Sequence, residues 1–357
     1  MMKKEWMGHL EVPSNWQIND NDLQMVPLDF PLERTHREIH GSGACEIAGR
    51  ISDALRELSI EAEYDKAKAK CRTSDFVSFR IRLYAGGLGV SPVIVEVQKR
   101  SGQTMSFMRS CRAILGAAEG KQVSMQAKKA PSPFLLQPVG DLLCLKGVLP
   151  VQNSVENLSL GLDKVIALLR SNKRDSNLLG MENLCLLTNQ FKTAPETASR
   201  AAICFIIGDN KFNLRDEVEA LLQRSTETVE LNDSPINGEV DYSEQIHHYA
   251  LRLFSNCLEL TAHTDLLRGA IREQPWINRS LIPTLLDEIK EADHSPSNSH
   301  IAVLCLNSLI CCSLALQRVL ELNGLETLRT AKIVGKRCHK LLEIESEQCI
   351  LILESGR

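Results

Sequence analysis

Between residues 44 and 120 the apolar positions change period several times. Cys45, Ala48, Ile51, Leu55 and Leu58 recur at intervals of three and four, the spacing of a helix with one buried stripe. Glu61–Tyr64 and Ala67–Cys71 predict two short strands about Asp65-Lys66. Val77, Phe79, Ile81 and Leu83 then alternate with Ser78, Arg80, Arg82 and Tyr84, the period of a half-buried strand. Gly86-Gly87-Leu88-Gly89 makes a turn, and Val93–Gln98 is the returning strand. Phe107, Cys111, Ile114, Leu115 and Ala118 mark a second helix, which Gly120 ends. The order is helix, about four antiparallel strands, helix. It predicts a small α+β domain with two helices on one face of an antiparallel sheet.

The flanks read differently. Residues 1–43 form a predicted N-terminal tail. Pro13, Pro27 and Pro31 interrupt it, Asn19-Asp20-Asn21-Asp22 is a polar run, and Met25, Val26, Leu28 and Phe30 follow. Such a segment is an arm, or an acidic-hydrophobic peptide that docks in a groove of its own or of a foreign protein. Residues 121–150, with Lys128, Lys129, Pro131, Pro133 and Pro138, read as a linker. From 151 to 357 the period is helical throughout. Predicted helices are Val155–Leu169, Asn177–Asn189, Thr197–Ile207, Leu214–Gln223, Tyr242–Leu260, Leu281–Ile289, Ser297–Leu320 and Leu325–Ile344. Pro195, Pro235, Pro275 and Pro283 stand at or near the breaks.

Two resemblances follow from these residues. The run Arg50–Leu58, the strand Val77–Tyr84 ending in a Leu-Tyr pair, and the strand Val93–Arg100 running into Ser101-Gly102 precede a helix with Phe107 and Cys111-Arg112-Ala113-Ile114-Leu115. Together they resemble the kinase-associated domain 1 fold and the related C-terminal domain of AMP-activated kinase α subunits, over about 75 residues. That resemblance implies binding of anionic phospholipids or of a kinase or its subunit. Leu186-Leu187-Thr188-Asn189, Leu253-Phe254-Ser255-Asn256 and Leu304-Cys305-Leu306-Asn307 echo one another, and Arg318–Glu326 is a helix-to-Gly-to-helix junction. These resemble armadillo repeats, so residues 151–357 are expected to form an all-α, armadillo-like solenoid. The Asn separations of 67 and 51 residues exceed one repeat of roughly 40–47, so insertions intervene, one at Asn232–Glu239. In armadillo proteins an asparagine ladder clamps the backbone of an extended peptide, because an amide both donates to a carbonyl and accepts from an N–H. Asn189, Asn256 and Asn307 are the candidate peptide-binding residues.

Charge adds a second candidate. Residues 1–49 carry a net −4, residues 50–130 a net +7 and residues 131–357 a net −7, so a basic module lies inside an acidic chain. Lys99, Arg100, Arg109, Arg112 and Lys121 flank the second helix of the small domain and are the candidates for an anionic lipid or a protein partner. Nucleic acid fits poorly, since the sheet offers no stacking aromatic beyond Tyr84.

Enzyme signals fail. Gly41-Ser42-Gly43 is followed by Glu46 where a dinucleotide fingerprint needs glycine, and there is no G-K-[ST], H-R-D or D-F-G sequence. In His36-Arg37-Glu38-Ile39-His40 the glutamate is misplaced for a zincin helix. The 12 cysteines include no C-x-x-C pair and most sit in apolar company, which predicts reduced, buried thiols in a reducing compartment. No apolar signal-peptide core follows the start. The apolar stretch Ile301–Leu316 is interrupted by Asn307 and Ser308, as a buried helix would be. The sequence therefore reads as a non-catalytic adaptor or scaffold without cofactor or metal, binding a protein or peptide partner in the cytoplasm, at a membrane surface or in the nucleus. The rival reading is a peripheral module for anionic phospholipid.

Overall fold

The computed structural model describes residues 16–27, 29–87, 92–122, 151–208, 212–227, 242–262 and 264–355. The predicted linker, apart from Lys121 and Gln122, and the predicted insertion at Asn232–Glu239 lie outside the described residues. The chain divides into two compact units. The first is Met1–Ala127 together with Asp293–Ser297 and Ala331–Ile344; the second is Lys128–Ala292, Asn298–Thr330 and Glu345–Arg357.

The first unit is a mostly antiparallel sheet with two helices. Its strands are β1 (Gln24–Met25), β2 (His36–Ile39), β3 (Glu61–Asp65), β4 (Lys68–Arg72), β5 (Ser78–Ala85) and β6 (Val93–Ser101). They run in the order β2-β6-β5-β4-β3, and β1 pairs in parallel with the end of β5 at Tyr84 and Ala85. Helices α1 (Ala44–Glu57) and α2 (Thr104–Ala118) bury Ile47, Ile51, Leu55, Phe107, Cys111 and Ile114 in one core with Phe79, Ile81, Leu83, Val93, Val95 and Val97. Those strand residues alternate in sequence, so they share one face of the sheet. Gly102 has φ +90°, and a Cβ there would meet the Val77 Cα at 2.7 Å and the Phe76 oxygen at 2.8 Å, so only glycine allows β6 to turn into α2.

The predicted tail departs most from expectation. Two sheet strands, β1 and β2, come from it, and Trp16 and Ile18 lie in the core at 2% and 4% exposure. The Trp16 indole N–H donates to the Lys66 carbonyl at 2.7 Å and its ring stacks on Tyr64 at 5.5 Å. The Asp20 carboxylate accepts from the Ala44 N–H at 2.6 Å, so a distant residue caps α1, whose own Gly43 has no side chain to do so. His36 and His40 accordingly lie in or just after an extended edge strand, not one helical turn apart.

The distant segments are held to the same unit by specific bonds. Helix α12 (Gly324–Cys338) ends at His339, and α13 (Lys340–Ser355) follows at once. Arg56 pairs with Glu343 at 2.7 Å and donates to the Lys336 carbonyl at 2.7 Å, and Ser59 Oγ accepts from Leu341 N–H at 2.9 Å. Burial pushes the Glu343 carboxyl up, but Lys340 and Arg56 outweigh it and hold the group below the usual carboxylate range.

The second unit is helical, as the period predicted. It contains α3 (Val151–Leu169), α4 (Arg174–Leu187), α5 (Pro195–Ile206), α6 (Leu214–Glu227), α7 (Tyr242–Thr261), α8 (Asp265–Glu273), α9 (Ile282–Lys290), most of α10 (Pro296–Leu309) and α11 (Ser313–Glu321). The Phe205 and Phe254 rings meet edge to face at 5.0 Å in its interior. Asn177, 5% exposed, donates to the carbonyls of Leu168, Leu169 and Ser171, and its oxygen accepts from the Tyr242 hydroxyl at 2.8 Å. One amide thus satisfies the end of α3 and ties it to α7. The predicted helix Ser297–Leu320 is two helices, broken at Ile310–Cys312, where Cys312 is extended. At the Arg318–Glu326 junction Asn323, φ +57°, takes the left-handed turn. Gly324 instead allows close packing, since a Cβ there would meet Val319 Cγ1 at 2.4 Å.

Among the described residues no helix is long and apolar enough to cross a membrane, and no group of three or more His, Cys, Asp or Glu could hold a metal ion. Eleven of the cysteines are described, and all of these are free thiols.

Candidate functional site

Two sets of residues were expected to carry binding. The first is the asparagine ladder of the helical unit; the structure joins Asn256 and Asn307 to neighbouring helices and turns Asn189 back on its own turn. Asn189 lies in the turn after α4, where its Oδ1 accepts from its own turn at the Phe191 N–H, 2.9 Å. Its neighbour Gln190 donates to Glu259 on α7 at 3.2 Å. Asn256, one turn before Glu259, donates to the Cys185 carbonyl at 3.0 Å and to Thr188 Oγ1 at 3.3 Å. Asn307 on α10 donates to the Glu345 carbonyl at 3.3 Å and to Glu345 Oε2 at 3.0 Å.

The donors of Asn256 and Asn307 are therefore engaged in holding helices together, which is the structural use of a buried amide. What remains is acceptor capacity. The Asn307 Oδ1 is buried without a partner. Desolvation pushes the carboxyl groups of Glu259, an exposed residue, and of Glu345 up; Gln190 and Arg252 pull Glu259 back down, Asn307 does the same to Glu345, and Glu259 raises Glu345 further. Neither carboxylate has an ion-pair partner among the described residues. Glu259 and Glu345 were not singled out from the sequence. Glu259 had a signal there, because it stands three residues from Asn256 inside an apolar helix and so shares its face.

The second set splits. Lys99 lies on the helix side of the sheet and donates to Thr104 Oγ1 at 2.8 Å. Arg109 and Arg112 are exposed on α2 without an ion-pair partner among the described residues, and Lys121 pairs with Glu119, which also holds Arg37. Arg100 is on the opposite face of the sheet, where it donates to Gln98 Oε1 at 3.2 Å. The separation follows from the two-residue period of β6: Lys99 follows the core residues Val95 and Val97, and Arg100 follows Glu96 and Gln98. The five residues do not form one patch.

Around Arg100 the sheet gathers other cations instead. Arg80 and Arg82 on β5 share its face, and desolvation together with these two guanidiniums lowers the Arg100 pKa. Arg80 and Arg82 stand opposite Gln98 and Glu96 in the ladder.

No family model matches the chain, and no curated protein matches it.

Proposed function

We propose that the protein is a non-catalytic adaptor whose helical unit, an armadillo-like solenoid, holds an extended partner segment along the row of Gln190, Asn256, Glu259, Asn307 and Glu345. The observation that carries this reading is the row's bias: the Glu259 and Glu345 carboxyl groups and a buried amide oxygen accept, and among the described residues no cation forms an ion pair with either carboxylate, Arg252 acting on Glu259 only through its field. A desolvated carboxylate gains most from a charged donor, so the segment brings lysine or arginine together with its backbone N–H groups. The kinase-associated-domain-like unit supplies a second contact, and a kinase or its subunit is within the class of partner. Binding of the full chain to an array of extended peptides tests this. Peptides with Lys or Arg should bind, and the Glu259→Gln/Glu345→Gln double variant should weaken them about tenfold or more. Equal binding by both proteins would overturn the row as the site.

A second reading has its own observation. Met105, 72% exposed, shares a stripe of α2 with Arg109 and Arg112, the mix of apolar and basic residues that suits an anionic phospholipid surface. Co-sedimentation with phosphatidylserine vesicles that fades as salt rises, and is lost in Arg109→Glu/Arg112→Glu, is the expected result for it. Sedimentation unchanged by that charge reversal would remove it.

A further inference from the structure

The sheet's outer face treats its cations in two ways. On β4 each is answered by a carboxylate of β3 directly across the ladder: Arg72 by Glu61 at 3.0 Å, Lys70 by Glu63 at 3.1 Å and Lys68 by Asp65 at 3.3 Å. On β5 and β6 the pattern stops. Arg80, Arg82 and Arg100 have no ion-pair partner among the described residues. Two carboxylates lie in the field of Arg100: Glu33, which is exposed and forms no ion pair among the described residues, and Glu96, which is wholly buried and engaged by the fold, accepting from the Glu33 N–H at 2.7 Å and from the Gln98 amide at 3.0 Å.

The backbone also singles the place out. The β5–β6 register shifts between Ser78 and Phe79, which pair with Ser101 and Lys99, so Arg100 is the extra residue of a bulge. Bulges re-aim side chains, and this one leaves Arg100 exposed on the face of Arg80 and Arg82. Three guanidiniums held within each other's field repel, and a bound dianion with three acceptor oxygens would relieve that repulsion.

We propose that Arg80, Arg82 and Arg100 form a binding site for a phosphorylated side chain of a protein partner. A membrane fits this face less well, because an extended anionic surface would also meet Glu61, Glu63 and Asp65, and the apolar Tyr84 and Ile94 are buried rather than free to insert. A free phosphate fits less well too, because Arg100 is exposed and Arg80 and Arg82 are only half-buried, so a lone anion would stay largely in water and the contacts that make binding tight must come from the chain carrying the phosphate. The site is separate from the helical row and does not depend on it.

The test uses the full chain and a seven-residue Gly/Ala peptide with one central phosphoserine, beside its unphosphorylated form, inorganic phosphate and phosphatidylserine vesicles. The phosphopeptide should bind at least tenfold more tightly than the unphosphorylated peptide and than phosphate. Arg80→Gln/Arg100→Gln should abolish that difference while the far-ultraviolet circular dichroism stays the same, and Arg109→Gln/Arg112→Gln should leave it intact. No preference for the phosphorylated form, a preference that survives Arg80→Gln/Arg100→Gln, or one that Arg109→Gln/Arg112→Gln removes would each overturn the proposal. So would vesicle binding lost in the Arg80/Arg100 variant, which would make the face a membrane contact. Should the double variant misfold, Arg100→Lys keeps the charge but not the fork, and a several-fold weaker phosphopeptide is expected; unchanged affinity there would overturn the site.

Discussion

The two units bury their polar groups by different rules. In the sheet unit, charge meets charge across neighbouring strands, and the exceptions, Arg80, Arg82 and Arg100, stand out against a row of matched pairs. In the helical unit, amides meet backbone carbonyls of neighbouring helices, as Asn177, Asn256 and Asn307 do, and the exceptions are acceptors: Glu259, Glu345 and the Asn307 oxygen. The lesson is that a residue type does not announce its use. An asparagine in a helical repeat serves the fold before it serves a ligand, and a cation on a strand is informative only once the residue across the ladder is known.

The largest effect should come from the segment that looked least structural. Trp16→Ala removes a buried indole and its bond to Lys66, and losses of this kind cost about 3–5 kcal/mol. Urea unfolding of the sheet unit should show it as a lower midpoint. A change under about 1 kcal/mol, the usual size of a surface substitution, would return residues 16–22 to the status of an appended arm.

That segment also marks the limit of what the sequence allowed. The helix-strand-helix order of 44–118 was legible because the apolar period switches cleanly from 3.6 to two and back. Trp16 and Ile18 were not, since a two-residue alternation is too short to distinguish a packed strap from a tail. The break at Cys312 was hidden because the apolar run continues through it without Gly or Pro. Helix α8 was missed although Thr264 caps it, its hydroxyl accepting from Leu267 N–H at 3.4 Å. Of the candidate sites, the asparagines were legible as positions, but the partners of Asn256 and Asn307 lie 71 and 38 residues away along the chain. The arginine trio required the strand register, which no local pattern contains.

A second effect is pH-dependent and lies in the sheet unit. His339 is 1% exposed, and its Nδ1 accepts from the Leu342 N–H at 3.1 Å, so the neutral ring caps α13. Burial lowers its pKa to about 4, against 6.5 for the free side chain. The sign follows from proton counting. Between those values the unfolded chain binds a proton that the folded chain refuses, so stability is unaffected above about pH 6.5 and falls as pH drops toward 4. At about 1.4 kcal/mol per pH unit the loss reaches roughly 3 kcal/mol. His339→Asn keeps a capping oxygen without the titration, and should flatten the slope of unfolding free energy between pH 6.5 and 5. Equal slopes for parent and variant would show that His339 is not the group that titrates.

A third sits in the helical unit. Asn177→Ala leaves the last carbonyls of α3 and the Tyr242 hydroxyl without their partner, and an unsatisfied buried group costs about 1–3 kcal/mol. Asn256→Ala is comparable in kind, with Cys185 and Thr188 losing the amide. Denaturant midpoints of both variants should fall together. If Asn256→Ala matches the parent while weakening peptide binding, its amide serves the ligand more than the fold.

The smallest effect belongs to the matched pairs of the outer sheet face, and it separates the two halves of that face. Lys70 and Glu63 are 51% and 72% exposed in their side chains, so solvent screens most of their attraction. Exposed pairs of this kind couple by about 0.2–1 kcal/mol. A double-mutant cycle through Lys70→Met and Glu63→Gln should therefore give a coupling under about 1 kcal/mol that shrinks further in 0.5 M salt. The two halves nevertheless differ in sign. Removing Lys70 frees Glu63 and makes the face less basic, with stability nearly unchanged. Removing Arg80 relieves repulsion among the three guanidiniums, so Arg80→Met should hold or slightly raise the unfolding midpoint, and raising the salt should diminish that gain. An Arg80→Met protein clearly less stable than the Lys70→Met protein would mean that Arg80 is held by the fold. The arginine trio would then be structural rather than waiting for an anion.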